Sequence, residues 1–327
     1  MKRLKNFNLP FKLFVSFSIL AALVIRMDAG VLEELTAHIR ASAWAYATMF
    51  MVLQFILLSF RWEMLLNIGK RHMNLTDALK INLTSQLANL IFIASIGGML
   101  ARIALSVQHG ATIFKTLIAT VFDRLMTLSA LIVLAAFFIP GLDPYVDNHT
   151  FSTFTTLIST FVLTMFVFAP MFLNFVIFRM PQVAKLKGRM RYGVRYLKVL
   201  LNNPFLCGRI VLISLIAQMC LFVSVYFLAQ STGAGITFLQ LMAVLPVISI
   251  VSALPISVGG WGVREGAFAV GLGFLGVPLE TAVMISIQVG LISMLTTVIT
   301  GMPALMAANF KLDSLHNLKS TLAHIKI

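Results

Sequence analysis

Two short stretches carry the residue types that could seat a phosphate. Ser95-Ile96-Gly97-Gly98-Met99-Leu100-Ala101-Arg102 and Ser257-Val258-Gly259-Gly260-Trp261-Gly262-Val263-Arg264 both read S-[IV]-G-G-x-x-x-R. A glycine pair breaks a helix and bares backbone amides, and a helix restarting after it offers free N–H groups to an anion. An arginine one turn later adds fixed charge and planar donors that match phosphate oxygens. Pro255 sharpens the second break. The binding candidates are therefore Arg264, Arg102, Gly259, Gly260, Gly97 and Gly98. The plainer reading is close helix packing, for which membrane proteins also use small residues. Two copies in matching positions favour a functional role over packing.

Further charges fall inside apolar surroundings, where each costs about 2.5–3.5 kcal/mol on insertion scales and so calls for a partner or a task. These are Asp123-Arg124 and Arg264-Glu265. Adjacent residues point about 100° apart on a helix, so neither dipeptide is expected to pair internally. Pairing of Asp123 with Arg264, or of Glu265 with Arg124, is expected instead. Asp123, Arg124 and Glu265 would then position the arginines or exchange protons, Glu265 being better placed for that because it abuts the broken helix. The alternative is an ion-pair network that only holds the two halves together. Arg61-Trp62, at the end of an apolar run, reads as an interfacial anchor.

Other chemistry finds little support. Histidines 38, 72, 109, 149, 316 and 324 form no HxxxH or HExxH pair, and Cys207 and Cys220 have neither metal-ligand spacing nor a disulfide framework. No metal site and no cofactor are expected. With no nucleophile–base pair and no phosphate-loop motif, the chain is not expected to be an enzyme.

These residues must be positioned by membrane elements. Of 327 residues 59% are hydrophobic and only 11% charged, where a soluble domain carries about a quarter; the mean hydropathy is +0.96. A span needs about 20 mainly apolar residues, and candidates lie near 10–27, 43–60, 115–139, 152–178, 208–230 and 281–309. The first begins like a signal peptide but lacks a convincing cleavage site and is expected to be retained. The net charge of +14 sits mostly in short segments between apolar runs, which suits orientation in a membrane and argues against nucleic acid as a partner.

Those charges put both termini in the cytoplasm. Lys2, Arg3, Lys5 and Lys12 place the N-terminus inside, and the strongly basic 179–209 segment reads as a cytoplasmic loop resting on anionic headgroups or recruiting a partner. A single crossing by the glycine-interrupted region 79–108 would flip every later loop against its charge, so it is expected to dip in and return. The region 237–276 is expected to do the same from outside, two true spans plus one re-entrant limb being the alternative. The expected fold is an all-α integral membrane protein with about six transmembrane helices and two re-entrant helical hairpins in an inverted-repeat arrangement. It forms one polytopic domain over 1–327, with a first half of about 10–139 and a second of about 152–309. Inverted repeats with broken helices are a common way to build a midplane site, since irregular backbone at that depth must be buried in protein or line a cavity.

The run Leu254-Pro255-Ile256-Ser257-Val258-Gly259-Gly260-Trp261-Gly262-Val263-Arg264-Glu265-Gly266 resembles the LP-x-S-x-GG-x-G-x-RE signature of the flippase-like lysylphosphatidylglycerol synthase transmembrane family. Leu275-Gly276-Val277, Ser59-Phe60-Arg61-Trp62 with Leu65-Leu66, and Val121-Phe122-Asp123-Arg124-Leu125 also fit, so the likeness runs from about 10 to 309. The resemblance implies lipid translocation or handling of lipid-linked groups in a bacterial or archaeal inner membrane. Its ligand would be a membrane phospholipid or polyprenyl-linked lipid, and some members sit beside a glycosyltransferase. This chain departs in the first motif, where Met99 replaces the acidic residue of many relatives and Ala94-Ser95 replaces a Pro-Gly. With no stretch left after 309 for an aminoacyl-transferase domain, it is not expected to make lysylphosphatidylglycerol by itself. Two functions are expected from this: a lipid flippase whose phosphate sits on Arg264 and Arg102, with Arg264 mattering most, or an accessory subunit presenting polyprenyl phosphate to a glycosyltransferase.

Overall fold

The computed structural model describes residues 40–69, 73–91, 96–138, 160, 193, 196, 198–200, 202–253 and 261–308. Among these residues no strand occurs, and eight helices have described bounds: α1 (Ala41–Leu66), α2 (Leu75–Ile91), α3 (Ile96–Gln108), α4 (Ile113–Phe138), α5 (Pro204–Ser231), α6 (Phe238–Ser252), α7 (Val263–Gly273) and α8 (Leu279–Ala307). α1, α4, α5 and α8, of 26, 26, 28 and 29 residues, are long and apolar enough to cross a membrane. At 1.5 Å per residue they run about 39–44 Å, beyond the roughly 30 Å hydrocarbon core. They correspond to the expected spans at 43–60, 115–139, 208–230 and 281–309. The expected span at 10–27 lies outside the described residues, as does that at 152–178 apart from residue 160, and as do both charged termini. Large apolar side chains such as Val121, Leu212 and Ile299 are exposed on the long helices, where lipid rather than water suits them.

Each glycine-interrupted region contains two shorter helices packed on each other, α2 with α3 and α6 with α7. The connecting residues 92–95 and 254–260, which include Pro255, Gly259 and Gly260, lie outside the described residues. α3 ends at Gln108, and two residues on Gly110 has a left-handed φ of 81°. Its amide donates to Val107 O at 2.9 Å, and the Ala111 amide donates to Ser106 O at 3.1 Å, closing the helix end. α6 opens with a capping box, in which Thr237 N donates to Gln240 Oε1 at 2.9 Å and Gln240 N to Thr237 Oγ1 at 3.4 Å.

The chain divides into two compact units that interleave along the sequence. One draws on Phe55–Thr127, Thr164–Ile216 and Thr297–Ile327, the other on Met1–Gln54, Leu128–Leu163 and Ala217–Thr296. Each of the sequence halves 10–139 and 152–309 thus contributes to both units. The first unit contains the α2–α3 pair, the second the α6–α7 pair.

In the first unit Trp62, Leu65, Leu66, Ile81, Leu105 and Met126 pack with Tyr196, Leu200 and Ile210. The Tyr196 hydroxyl donates to Leu65 O at 2.5 Å, and its ring lies 5.0 Å from that of Phe122. This corrects the reading of 179–209 as a loop throughout: residues 196 and 198–200 are helical, α5 starts at Pro204, and Tyr196 and Leu200 are core. Apolar positions between the basic residues let this segment bury side chains that the charge count alone did not suggest. The last turns of α8 press on α2, since a Cβ at Gly301 would meet Leu87 Cβ at 2.8 Å and Leu83 O at 3.1 Å. In the second unit a Cβ at Gly271 would meet Ile248 at 2.7 Å, so α7 lies close on α6. Tyr46 and Phe50 stack on Phe227, with centroids 5.1 and 5.9 Å away.

Candidate functional site

The first unit holds a charged cluster around Asp123. One oxygen, Oδ1, accepts from Arg61 Nε at 2.9 Å and lies 2.8 Å from Arg61 Nη2, while Oδ2 accepts from Arg102 Nη1 at 3.0 Å. Arg61 also donates to Ser214 Oγ at 3.0 Å and to Thr127 Oγ1 at 2.8 Å. Arg102 donates through Nη2 to Asn82 Oδ1, and Asn82 Nδ2 in turn donates to Ser59 Oγ at 2.9 Å. The Arg102 guanidinium lies 4.4 Å from the centroid of the Trp62 ring, a stacked cation–π geometry.

Arg61-Trp62 is therefore not an interfacial anchor. Both residues are buried, 1% and 0% exposed. α1 runs to Leu66, a turn and a half past the end of the apolar run, and carries the pair inward to Asp123 and Arg102. The expected pairing of Asp123 with Arg264 gives way to Arg61 and Arg102 for the same reason.

Arg124 is different. It is exposed, and among the described residues it makes no hydrogen bond or ion pair. It shares a small cavity of about 20 Å³ with Ser85, Asn89, Gly98, Met99, Arg102 and Thr120, enough space for about one water. Among the described residues, the charges acting on Arg102 are those of Asp123, Arg124 and Arg61. Three guanidiniums thus face one carboxylate, leaving a net charge of +2.

Gly97 and Gly98 fall in the first turn of α3, which starts at Ile96. The amide of Gly98 is not bare as expected, because Asn89 of α2 accepts it through Oδ1 at 2.8 Å. A Cβ at residue 98 would overlap the Asn89 side chain. The glycine here permits a close approach of α2 and α3.

The second motif is built otherwise. Arg264 is the second residue of α7, and its guanidinium bonds the next residue: Nη2 to Glu265 Oε1 at 2.6 Å and Nε to the same oxygen at 3.1 Å. Nε also donates to Ser286 Oγ at 3.2 Å. The other oxygen of Glu265, Oε2, accepts the Gly262 amide at 2.6 Å. Gly262 caps the helix at φ 85°, a conformation glycine adopts without strain. The dipeptide is thus self-paired, contrary to expectation, and Glu265 does not depend on Arg124. The 100° between adjacent residues separates Cβ directions only, and a long guanidinium side chain can bend across that gap. Glu265 is fully buried with both oxygens engaged. Arg264 stacks 4.6 Å from the Trp261 centroid, and a Cβ at Gly290 would overlap its guanidinium. Its charge is matched by Glu265, so among the described residues this network is neutral.

Several residues at the first cluster escaped the sequence reading. Asn82, Ser85 and Asn89 form a polar stripe on α2 at spacings of three and four, the signal of one helix face. Thr120 stands one turn before Arg124 on α4. Among the described residues no group of His, Cys, Asp or Glu is placed to hold a metal ion.

Long apolar helices, short paired helices and buried arginines define a multi-pass, all-helical membrane protein. The chain belongs to the family described as the lysylphosphatidylglycerol synthase TM region, which it matches over residues 11–301. That membership connects it with membrane lipids. No curated protein matches it.

Proposed function

We propose that this chain moves a phospholipid or lipid-linked headgroup between the leaflets of the inner membrane, with both termini cytoplasmic. The observation that carries the reading is the net charge of +2 in the Asp123 cluster, with Arg124 exposed beside a polar cavity. Arg124 lies eleven residues into α4, about 17 Å along a helix of about 39 Å. With that helix centred in the bilayer it stands near the midplane. A cation there is costly and faces a cavity or a partner; a lipid phosphodiester passing between leaflets supplies the missing negative charge.

The four short helices support the re-entrant arrangement. α2, α3, α6 and α7, of 17, 13, 15 and 11 residues, extend about 26, 20, 23 and 17 Å, each short of the hydrocarbon thickness. Pairs that enter and return place Arg102 and Arg264 at depth, as an inverted repeat requires. In this reading Arg102 and Arg124 meet the phosphate, Asp123 and Arg61 hold Arg102, and Arg264 with Glu265 fixes the start of α7. The cavity is too small for a phosphate as it stands, so entry requires the exposed Arg124 side chain to swing aside.

The test is leaflet exchange of headgroup-labelled phospholipids in proteoliposomes, comparing wild type with Arg124→Gln and Arg102→Gln. Exchange that needs the protein and falls at least tenfold in both variants supports the reading. Full exchange in folded variants overturns the assigned site. No exchange across anionic, zwitterionic and polyprenyl-phosphate lipids would favour the accessory-subunit role, checked by co-purification with a glycosyltransferase.

A further inference from the structure

The lipid that this site accepts can be narrowed by its charge. Resting on the reading of the cavity as a headgroup site, we infer that it selects a net-anionic phosphate headgroup and rejects headgroups that carry added ammonium groups, such as aminoacylated ones. Arg102 and Arg124 supply the positive side, and the only carboxylate acting on Arg102 among the described residues, Asp123, has both oxygens engaged by Arg61 and Arg102.

Nothing else in the cavity replaces it. Ser85 and Thr120 offer neutral hydroxyls, Met99 offers a thioether, and the Asn89 carbonyl oxygen already accepts the Gly98 amide. Ser85 moreover donates its hydroxyl to Ile81 O at 2.6 Å, and Thr120 donates to Thr116 O at 2.8 Å. The hydroxyl oxygens remain as neutral acceptors only. A phosphodiester brings one negative charge and lowers the local total from +2 to +1. An aminoacylated phosphoglycerol with two ammonium groups brings a net +1 and raises it to +3, where no carboxylate of the cavity lining among the described residues receives it. The same chemistry admits a phosphodiester headgroup or a phosphomonoester, both anionic, and places the discrimination in Arg124, the exposed cation that no carboxylate pairs with among the described residues.

The experiment uses the full chain purified in detergent and reads binding rather than transport. Phosphatidylglycerol, phosphatidylcholine and lysyl-phosphatidylglycerol are titrated separately, with inorganic phosphate and glycerol phosphate as soluble arms. The expected result is phosphatidylglycerol bound at least tenfold more tightly than lysyl-phosphatidylglycerol, with the soluble phosphates much weaker than either lipid. Arg124→Glu, which brings the cluster to zero net charge, should shrink that preference at least tenfold, and Arg124→Gln should shrink it by less. An unchanged unfolding temperature certifies each variant, and Arg209→Gln, an exposed arginine near the start of α5, should keep the wild-type preference. Equal or tighter binding of lysyl-phosphatidylglycerol overturns the inference, as does a preference that Arg124→Glu leaves intact. Soluble phosphate binding as tightly as lipid overturns the lipid as its source. Selective binding without leaflet exchange would overturn translocation while upholding the selectivity, so the two failures are distinguishable.

Discussion

Asn89 and Gly98 fit one another across the α2–α3 pair: the Asn89 carbonyl oxygen accepts the Gly98 amide at 2.8 Å, and its side chain occupies the space a Cβ on residue 98 would need. A polar side chain from one helix thereby caps the first turn of the next, and the glycine is what lets it in. Gly98→Ala should destabilise the protein by about 1–3 kcal/mol through overpacking. Asn89→Ala should cost about 1 kcal/mol, the usual loss of a cap. The double variant should cost less than the sum, because removing Asn89 makes room for the new methyl group. Thermal unfolding of the four proteins in detergent completes the cycle.

Asp123 and Arg124, neighbours in sequence, should separate stability from function. Asp123→Asn leaves Arg61 and Arg102 buried without a counter-charge, and should cost about 3–5 kcal/mol and much of the folded yield. Arg124→Gln removes an exposed side chain that bonds none of the described residues and should stay within about 0.5 kcal/mol of wild type, while leaflet exchange should fall. Folded yield measured beside exchange checks both.

Glu265 is held at both oxygens, by Arg264, Ser286 and the Gly262 amide. With both oxygens engaged, its expected part is structural rather than coupling. Glu265→Gln should lower the unfolding temperature by several degrees. Any response of exchange to an imposed pH gradient should remain as in wild type. A response abolished in a folded Glu265→Gln protein would return the coupling role to this residue.

Tyr196→Phe removes one buried hydrogen bond to Leu65 O and should cost about 0.5–1.5 kcal/mol. Tyr196→Ala also empties the contact with Phe122 and should cost about 3 kcal/mol or more. Unfolding of both variants tests whether the basic segment before α5 is anchored in the core of its unit.

The long helices were legible because each satisfies a single rule, about twenty apolar residues in a row. The division of each interrupted region into two short helices was legible through its glycine pair. What stayed hidden was partner choice. Arg61 looked interfacial because the apolar run stops at residue 60, yet a helix ends where its backbone bonds end, and α1 continues to Leu66. The two glycine motifs look equivalent as letters, but α3 starts before its pair, at Ile96, whereas α7 starts after its own, at Val263. Arg102 consequently sits in the second turn of its helix and Arg264 in the first. The stripe Asn82, Ser85 and Asn89 was present in the sequence, but uncharged polar residues draw less notice than arginines in an apolar chain.

Each motif arginine rests on an indole, Arg102 on Trp62 and Arg264 on Trp261, and the remaining tryptophan, Trp44, donates to Gln288 Oε1 at 3.1 Å. The chain has three tryptophans, so its ultraviolet emission is divided among three known places. Replacing Trp44 and Trp261 with Phe would leave Trp62 as a lone fluorophore beneath the Arg102 guanidinium. If a lipid phosphate draws that cation off the ring as proposed, the emission should change, giving an optical readout of headgroup arrival with no dye attached.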